Sequence, residues 1–262
     1  MKATLSGKVA LVTGASRGIG AATARAFAQA GCAVALAARD EQALIRLADE
    51  LRDAGGKALV VPTDVTDDRA VANMVDAVLD EFGGLDFACN NAAGAGHPPT
   101  PLADVAVEAF DSGLAVSLRG VFLAMKYELP AMLNNGGGAI VNMSSTAGLQ
   151  GVGGPTSYVA AKHGLEGITK VAALDYAAYN IRVNVIAPGP ILTDNLRRAG
   201  EQAQRAAAAA MPLRRVGQPD EVANAVVWLC GDEAAFITGT TLVIDGGKLA
   251  GTPPFQVQLK TG

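Results

Sequence analysis

Short apolar runs alternate with longer amphipathic stretches along almost the whole chain, from residue 8 onward. The first run covers residues 9–12 and precedes an alanine-rich stretch, residues 19–30, after which Gly31 stands. Glycine is common just beyond the C-terminus of a helix. Strands that are buried on both faces have continuous apolar sequences. Strands that alternate with helices in this way form right-handed βαβ units, so the sequence predicts a parallel sheet with helices on both faces.

The same pattern gives boundaries for each element. Strands are predicted at residues 9–12, 34–38, 58–62, 86–90, 139–143, 182–187 and 241–245. Helices are predicted at residues 19–30, 41–54, 70–82, 108–133, 157–179, 194–211 and 219–230. We find no linker and no repeat of about 20–50 residues. We therefore predict one domain over residues 1–251, with residues 252–262 as a tail outside the pattern.

Composition excludes several classes of protein. Half of the 262 residues are apolar and only 18% are charged, which indicates a large core. The net charge of -4 argues against a nucleic-acid partner, because such proteins usually carry a basic patch. No apolar run reaches the roughly 20 residues that span a bilayer, and residues 9–12 are too short for a signal-peptide core. We expect a soluble, cytoplasmic protein without a membrane partner.

Cysteine and histidine give no sign of a disulfide framework or a metal site. Cys32, Cys89 and Cys230 are odd in number and lie in apolar surroundings, so we interpret them as buried free thiols in a reducing compartment. His97 and His163 are far apart in sequence, and we expect no bound metal. His97 lies in a Gly- and Pro-rich loop, where it could face a substrate or be solvated.

A glycine-rich turn links the first predicted strand to the first helix. Its sequence is Thr13-Gly14-Ala15-Ser16-Arg17-Gly18-Ile19-Gly20. Glycines let the backbone turn tightly and approach a pyrophosphate, and the helix N-terminus offers free N–H groups and partial positive charge. The common dinucleotide fingerprint is Gly-x-Gly-x-x-Gly. Here the spacing is Gly-x-x-x-Gly-x-Gly at the same structural position, which predicts a bound nucleotide.

Tyr158 and Lys162 form a second candidate motif. They stand four residues apart in a predicted helix, and therefore on one face of it. A free tyrosine has a pKa near about 10, too high for acid–base work at neutral pH. A cation within about 4–6 Å can lower such a pKa by ~1–3 units. The pair could therefore supply a tyrosine that exchanges a proton near neutral pH.

Together these motifs resemble the short-chain dehydrogenase/reductase superfamily. Further matches come in the family's order along the chain, over about residues 5 to 249. They are Asp64-Val65, Asn90-Asn91-Ala92, Ser144-Ser145, Pro188-Gly189 with Thr193, and Asp245-Gly246-Gly247. Within the superfamily the chain is similar to 3-oxoacyl-carrier-protein reductase-like and related ketoreductase members. The resemblance implies a Rossmann-like, doubly wound α/β sheet of about seven parallel strands.

The resemblance also implies roles for individual residues. Ser145 would polarise a carbonyl, Tyr158 would act as general acid or base, and Lys162 would lower the tyrosine pKa and bind the nicotinamide ribose. Ser144 we interpret as structural. The implied cofactor-binding residues are Gly14, Ser16, Arg17, Gly18, Ile19, Gly20, Arg39, Asp64, Val65, Asn91, Tyr158, Lys162, Pro188, Gly189 and Thr193. In relatives, residues 191–211 form a mobile lid, and the helices beginning near Glu108 and Ser157 form the interface of a homotetramer.

Two positions depart from the family pattern. Ser117 stands where members often have an asparagine, within Ser117-Leu118-Arg119-Gly120-Val121-Phe122. In relatives that asparagine helps hold a water of a proton relay from the lysine. The serine hydroxyl could replace it in part. Ala93 stands where members usually have a glycine after Asn-Asn-Ala.

The end of the second predicted strand decides which nicotinamide cofactor is preferred. An acidic residue there would bind the ribose 2′-hydroxyl, whereas an arginine accommodates a 2′-phosphate. Ala38 occupies the acidic position, and Arg39 follows it. Arg39 and Arg17 could converge on one phosphate, or both could be solvated surface arginines. Asp40 could bind a ribose, but we place it in the start of the next helix. We expect NADP(H) to be favoured over NAD(H).

The leading functional hypothesis is an NADP(H)-dependent oxidoreductase. It would transfer hydride between the nicotinamide and a small-molecule carbonyl or secondary alcohol. A lyase or epimerase on the same scaffold is the first alternative, and a non-catalytic NADP(H)-binding sensor is the second. Neither the substrate nor the physiological direction follows from the sequence.

Overall fold

The computed structural model describes residues 5–94 and 96–251. Its strands are β1 (Val9–Thr13), β2 (Ala33–Ala38), β3 (Lys57–Pro62), β4 (Phe87–Asn90), β5 (Gly138–Met143), β6 (Ile181–Pro188) and β7 (Thr241–Ile244). Its α-helices are α1 (Gly18–Gln29), α2 (Glu41–Asp53), α3 (Asp68–Phe82), α4 (Val107–Leu114), α5 (Gly120–Asn134), α6 (Thr156–Tyr176), α7 (Asp194–Arg198), α8 (Gly200–Ala209) and α9 (Pro219–Cys230). The predicted tail, residues 252–262, lies outside the described residues.

All seven strands belong to one parallel sheet in the order β3-β2-β1-β4-β5-β6-β7. The chain runs outward from β1 to β3 and then returns to place β4 on the other side of β1. This reversal leaves a crevice at the carboxyl ends of β1 and β4, where open α/β sheets bind their ligands. The predicted fold class, a doubly wound α/β sheet, is confirmed.

Two apolar clusters cover the two faces of the sheet, as expected when helices lie on both sides. One contains Phe27 of α1, whose ring stacks on that of Phe87 at a centroid distance of 6.0 Å. The other contains Met74 of α3 and Leu165 of α6. Cys32, Cys89 and Cys230 are buried and free, as predicted.

Helix ends follow local chemistry. Asp67 caps α3 by accepting hydrogen bonds from the backbone N–H groups of Arg69 and Ala70. Gly83 ends the same helix in the left-handed conformation, at φ 80°. These caps explain why the sequence-predicted boundaries agree closely with the observed ones.

Two predicted helices are interrupted. The one predicted over residues 108–133 contains a π-helical turn at Ala115–Arg119 between α4 and α5. The one predicted over residues 194–211 divides into α7 and α8, with Gly200 at φ 86°. Among the described residues, no helix is long and apolar enough to cross a membrane.

Candidate active site

The glycine turn between β1 and α1 admits no larger residue at its narrowest point. A Cβ on Gly20 would lie 2.2 Å from the carbonyl oxygen of Gly14 and 2.6 Å from Nδ2 of Asn91. Gly14 and Gly18 have φ values of 65° and 55°, which favour glycine. The turn therefore exposes bare backbone at the N-terminus of α1, which is a site that favours an anion.

Asn91, the residue after β4, is hydrogen-bonded to this turn and to the end of β1. Its Nδ2 donates to the carbonyl oxygens of Thr13 and Gly14, at 3.1 and 3.2 Å. Its backbone N–H donates to Oγ1 of Thr13 at 3.1 Å. The sequence assigned Asn91 to the cofactor site but did not indicate Thr13, whose buried hydroxyl ties β1 to the segment after β4.

A cavity of about 340 Å³ opens beside the turn. It is lined by most of the predicted cofactor-binding residues, namely Gly14, Ser16, Arg17, Gly18, Ile19, Arg39, Asp64, Val65, Asn91 and Thr193. Thr193, Asp194 and Asn195, from the predicted lid segment, also line it. The structure therefore gathers residues from five separate stretches of sequence around one crevice at the end of β1, β2 and β4.

Two arginines line this cavity. Arg17 and Arg39 are both exposed and both line it. Asp40 also lines it, but its carboxylate caps α2 by accepting a hydrogen bond from the N–H of Ala43 at 3.1 Å. Asp64 has a lowered pKa, caused first by the N–H and hydroxyl of Thr66 and then by the charge of Arg39. The cavity therefore carries two cations, while one of its carboxylates, that of Asp40, is engaged as a helix cap.

A second cavity, of about 200 Å³, adjoins the first and contains the predicted catalytic groups. Its lining includes Ser145, Tyr158 and Lys162 together with the predicted residues Pro188, Gly189, Thr193, Ile19 and Asn91. Ile19, Asn91 and Thr193 line both cavities, so one ligand could extend through the two. Of the predicted site residues, Gly20 and Ser117 line neither cavity.

Lys162 and Tyr158 lie together as the helical spacing predicts. The Lys162 ammonium nitrogen is 5.6 Å from the centroid of the Tyr158 ring and donates a hydrogen bond of 2.6 Å to the carbonyl oxygen of Met143. Burial lowers the pKa of Lys162 to about 8, and the carboxylate of Glu166, one turn further along α6, raises it. The carbonyl oxygen of Met143 therefore fixes the position of the ammonium group. Burial disfavours the charge of that group, and the carboxylate of Glu166 favours it.

The pKa of Tyr158 differs from the expectation. Burial raises it above its ordinary value, and a hydrogen bond with Ser145 partly offsets that effect. The spacing of tyrosine and lysine correctly predicts that the two side chains are close. It does not predict the desolvation of the phenolate, which raises the tyrosine pKa where a nearby cation would lower it. In the structure, the group that lowers the tyrosine pKa is Ser145 rather than Lys162.

The two adjacent serines have different environments. Ser145 caps a 3₁₀ turn at Thr146–Gly148, where its Oγ accepts a hydrogen bond of 3.1 Å from the N–H of Ala147. Its own hydroxyl proton remains available for donation. Ser144 is buried, and its Oγ has no hydrogen-bond partner among the described residues. Of the two serines, Ser145 is the one that shares a hydrogen bond with Tyr158.

Ser117 lies in the π-helical turn and is buried. Its Oγ accepts a hydrogen bond of 3.3 Å from the N–H of Gly94, in the loop that follows β4. Short π-helical turns inside α-helices frequently mark functional sites. The serine therefore connects the interrupted helix to the segment that begins with Asn91.

The two histidines take no evident part in this arrangement. Nδ1 of His163 lies 2.9 Å from the carbonyl oxygen of Val159, on the exposed side of α6. Nδ1 of His97 lies 2.8 Å from the carbonyl oxygen of Pro98 in the loop. In the part of the chain that the structure describes, no three His, Cys, Asp or Glu side chains gather as metal ligands would.

The arrangement fits a dinucleotide. The glycine cradle excludes any Cβ at Gly20, the anion-favouring helix end faces one cavity, and a tyrosine, a lysine and a serine line the other. A phosphate-bearing cofactor could lie in the larger cavity with its reactive ring beside Tyr158. Such a site can transfer a proton and stabilise negative charge on a substrate oxygen.

Comparisons with known proteins agree with this geometry. A family model described as enoyl-(acyl carrier protein) reductase matches residues 14–248. The chain is 42% identical over 248 residues to an A-factor type gamma-butyrolactone 1'-reductase (1S-forming) of Streptomyces virginiae, covering 93% of this chain and 96% of that protein. It is 44% identical over 243 residues to a cis-4-hydroxycyclohexanecarboxylate dehydrogenase of Sinomonas cyclohexanicum, covering 93% and 97%.

Two further matches extend the comparison. A cyclohexanol dehydrogenase of Acinetobacter sp. (strain SE19) is 40% identical over 246 residues, covering 94% of this chain and 96% of that protein. The solved structure of a short-chain type dehydrogenase/reductase from Mycobacterium marinum superposes with a TM-score of 0.88 at 36% identity, covering 94% and 97%. The similarity therefore extends over nearly the full length of each of these proteins.

Proposed function

The chain belongs to the short-chain dehydrogenase/reductase superfamily, and on that premise we propose that it is an NADP(H)-dependent enzyme that interconverts a ketone and a secondary alcohol. The observation that carries the proposal is the pair of adjoining cavities. One contains the glycine cradle and two arginines, and the other contains Ser145, Tyr158 and Lys162. As a superfamily member it is an oxidoreductase of CH–OH and C=O groups.

The proposed cofactor would be held along the larger cavity. Its pyrophosphate would lie against the backbone of the Gly14–Gly20 turn, and Asp64 and Val65 would lie beside the adenine. When bound, the nicotinamide would supply or accept the hydride. Arg39 and Arg17 would contact a ribose 2′-phosphate, because guanidinium groups form strong charge-assisted hydrogen bonds with phosphate.

The catalytic residues would handle the proton. In the reductive direction, negative charge develops on the substrate oxygen as its carbon accepts hydride. The Ser145 hydroxyl would donate a hydrogen bond to that oxygen, and the Tyr158 hydroxyl would give it a proton. The resulting tyrosinate would be stabilised by the cation of Lys162, whose Nζ lies 5.6 Å from the ring centroid. In the oxidative direction the same groups would act in reverse.

We propose a ring-shaped substrate for the first tests. Two of the relatives are named for cyclohexane alcohols, and a third for a lactone. Met143 and Ile191 contribute apolar surface to the catalytic cavity. A cyclic secondary alcohol or ketone is therefore the first class of substrate to test.

We also propose that the protein assembles as a homotetramer through α5 and α6. Phe122 of α5 and Leu174 of α6 are exposed, by 53% and 82%, as is Val171 by 58%. Large apolar side chains exposed on both helices are consistent with an interaction surface there. Light scattering coupled to size-exclusion chromatography would measure the mass, and a monomer at micromolar concentration would contradict the proposal.

The decisive experiment is a substrate panel with both cofactors. The purified protein is mixed with NADPH or NADH and with cyclohexanone, a substituted cyclohexanone, a lactone ketone and an acyclic ketone. Absorbance of the reduced nicotinamide is then followed. We expect net oxidation of NADPH with the cyclic ketones and slower oxidation of NADH. Turnover without net cofactor change would indicate a lyase or epimerase, and binding without any turnover would indicate a sensor.

A further inference from the structure

One buried carboxyl lies outside the proposed chemistry. Glu128 of α5 is completely buried between the helix and the sheet. Burial raises its pKa to about 7, and a hydrogen bond from Asn90 lowers it. Carboxyl groups are almost never fully buried unless they are paired. No motif in the sequence indicates this residue, which stands among mostly apolar neighbours in a predicted helix.

Glu128 ends a chain of buried polar side chains that runs along one face of the sheet, over β4 and β5. Nδ2 of Asn90 donates to Oε2 of Glu128 at 2.9 Å and to Oδ1 of Asn142 at 3.0 Å. Nδ2 of Asn142 donates to Oγ1 of Thr169 at 2.9 Å, and that hydroxyl donates to the carbonyl oxygen of Leu165 at 2.8 Å. The chain therefore runs from α5, through the paired ends of β4 and β5, to α6.

Two atoms of this network have no partner. They are Oε1 of Glu128 and Oδ1 of Asn90, both buried and both without a hydrogen bond among the described residues. The amide oxygen of Asn90 can only accept a hydrogen bond, and the same is true of Oε1 of Glu128 while the carboxyl is ionised. A buried acceptor without a donor costs about 1–3 kcal/mol, and a buried charge costs more. The carboxyl of Glu128 and the amide of Asn90 thus share one hydrogen bond, and each has one further oxygen without a partner among the described residues.

We propose that Glu128 is a neutral acid that closes a two-bond ring with the Asn90 amide and so positions the residues that follow in β4 and β5. In this ring, Nδ2 of Asn90 donates to Oε2 of Glu128, and the Oε1–H of Glu128 donates to Oδ1 of Asn90. A single proton satisfies both unpartnered atoms and removes the buried charge. The second N–H of the Asn90 amide continues to Asn142.

The ring lies next to both halves of the site. Asn90 pairs in register with Thr13 of β1 and with Asn142 of β5. The next residue after Asn90 is Asn91, which holds the carbonyl oxygen of Gly14, and the next after Asn142 is Met143, whose carbonyl accepts from Lys162. Glu128 is therefore a positioning residue that acts through its neighbours, and its effect on cofactor binding rests on the proposed function.

The surrounding groups leave Glu128 without a charged partner. On β4 the neighbouring titratable group is the thiol of Cys89, whose pKa is raised first by burial and then by the charge of Glu128. On the α3 side, Asp68 is paired with Lys126 and Tyr127 at the exposed surface. On α6 the network meets the neutral hydroxyl of Thr169, while Glu166 acts on Lys162. Burial and Asn90 are the two influences on the Glu128 pKa.

The sign of the pH dependence follows from the raised pKa. Below about pH 4.5 the carboxyl is protonated in both the folded and unfolded chains, so it adds no pH dependence. Between about 4.5 and about 7 the unfolded chain loses the proton while the folded chain keeps it, and the stability falls as pH rises. Above about 7 both forms are ionised, and this contribution stays constant.

Glu128→Gln tests the ring because its amide can accept from Nδ2 of Asn90 and donate one N–H to Oδ1 of Asn90 without titrating, at the cost of a second N–H that the carboxyl lacks. In the wild type we expect the infrared C=O band of a protonated carboxyl at about pH 6, absent from Glu128→Gln but present in Glu81→Gln, an exposed control on α3. The melting temperature of Glu128→Gln should exceed that of the wild type at about pH 8 by on the order of 5–10 °C, and by much less near pH 5.

Cofactor binding gives a separate readout. Glu128→Met keeps the side-chain volume but removes both hydrogen bonds, and it should bind NADPH about tenfold more weakly than Glu128→Gln. A wild type without the infrared band, or a melting difference independent of pH, would overturn the inference even if NADPH binds. If no variant binds NADPH, the proposed function fails, whereas the infrared and melting results still decide whether Glu128 is neutral.

Discussion

The ammonium nitrogen of Lys162 lies 5.6 Å from the centre of the Tyr158 ring, and the buried lysine and the half-buried tyrosine line the same small cavity. Burial acts on the two groups in opposite directions, raising the pKa of the phenol and lowering that of the ammonium to about 8. Both shifts favour the neutral forms. The charge balance of the pair therefore depends on the groups around it, of which Glu166 is the nearest that favours the cation.

Glu166→Gln should make activity more sensitive to high pH. The carboxylate of Glu166 raises the pKa of Lys162, so its loss should lower that pKa further below about 8. The lysine would then lose its charge at a lower pH, and the alkaline limb of the kcat/KM profile should move to lower pH. Because Thr241 donates a hydrogen bond to Glu166, the glutamine can keep that contact. An unchanged alkaline limb would show that Glu166 does not control Lys162.

Arg39→Ala should weaken the binding of NADPH but not that of NADH. The exposed guanidinium lines the larger cavity, and we propose that it contacts the 2′-phosphate there. A hydrogen bond to a charged group contributes about 1.5–3 kcal/mol, so the KM for NADPH should rise about tenfold or more while that for NADH changes little. Arg46→Ala, an exposed arginine on α2, is the matched control. Equal effects on the two cofactors would remove Arg39 from the phosphate site.

Ser117→Asn should leave activity similar or higher, because family members often have asparagine at this position. Ser117→Ala should lower activity, since it removes the acceptor for the N–H of Gly94 and leaves that donor in a half-buried loop. Steady-state kcat values of the two variants, with melting temperatures to exclude a folding defect, make the comparison. A large loss in Ser117→Asn would show that the position does not correspond to the relay asparagine.

Gly20→Ala should abolish cofactor binding. The new Cβ would lie 2.2 Å from the carbonyl oxygen of Gly14, so the turn would have to open, at a cost of about 1–3 kcal/mol in stability. Gly167→Ala is the control, because a Cβ there meets nothing within 4 Å. It should stabilise α6 by about 1 kcal/mol and leave NADPH binding intact. Fluorescence titration with NADPH measures binding, and tight binding by Gly20→Ala would contradict the proposed cradle.

The strands could be predicted from the sequence because their signals are local. Each one is a short apolar run with a glycine, proline or polar residue near its end, and the observed bounds differ from the predicted ones by about one residue. The glycine turn was predicted for the same reason. Its place between β1 and α1 required only the order of elements along the chain.

The interruption of the long helix could not be predicted in this way. Residues 108–133 have a helical composition throughout, and the π-helical turn at Ala115–Arg119 depends on contacts with distant segments. One of these is the bond from Gly94 to Ser117. Another is the close approach of α4 to α6, where a Cβ on Gly113 would lie 2.4 Å from Oγ of Ser157. Neither contact has a signature in the local sequence.

Burial also explains what the motif reasoning missed at the site. The spacing of Tyr158 and Lys162 predicts that they are close, but the pKa of the tyrosine depends on how much water the fold removes. The pKa of Glu128 also depends on burial, which raises it to about 7. Nothing in its neighbours along the chain indicates that it is buried and hydrogen-bonded to Asn90.

Replacing Tyr158 with phenylalanine tests the central claim most directly, because the change removes the hydroxyl that would carry the proton and keeps the ring. NADPH binding is measured by fluorescence, and NADPH oxidation with cyclohexanone by absorbance. Tyr179→Phe, at an exposed tyrosine, is the control. We expect Tyr158→Phe to bind NADPH nearly as the wild type does and to lose about 10²-fold or more in kcat. A fully active Tyr158→Phe variant would contradict the account.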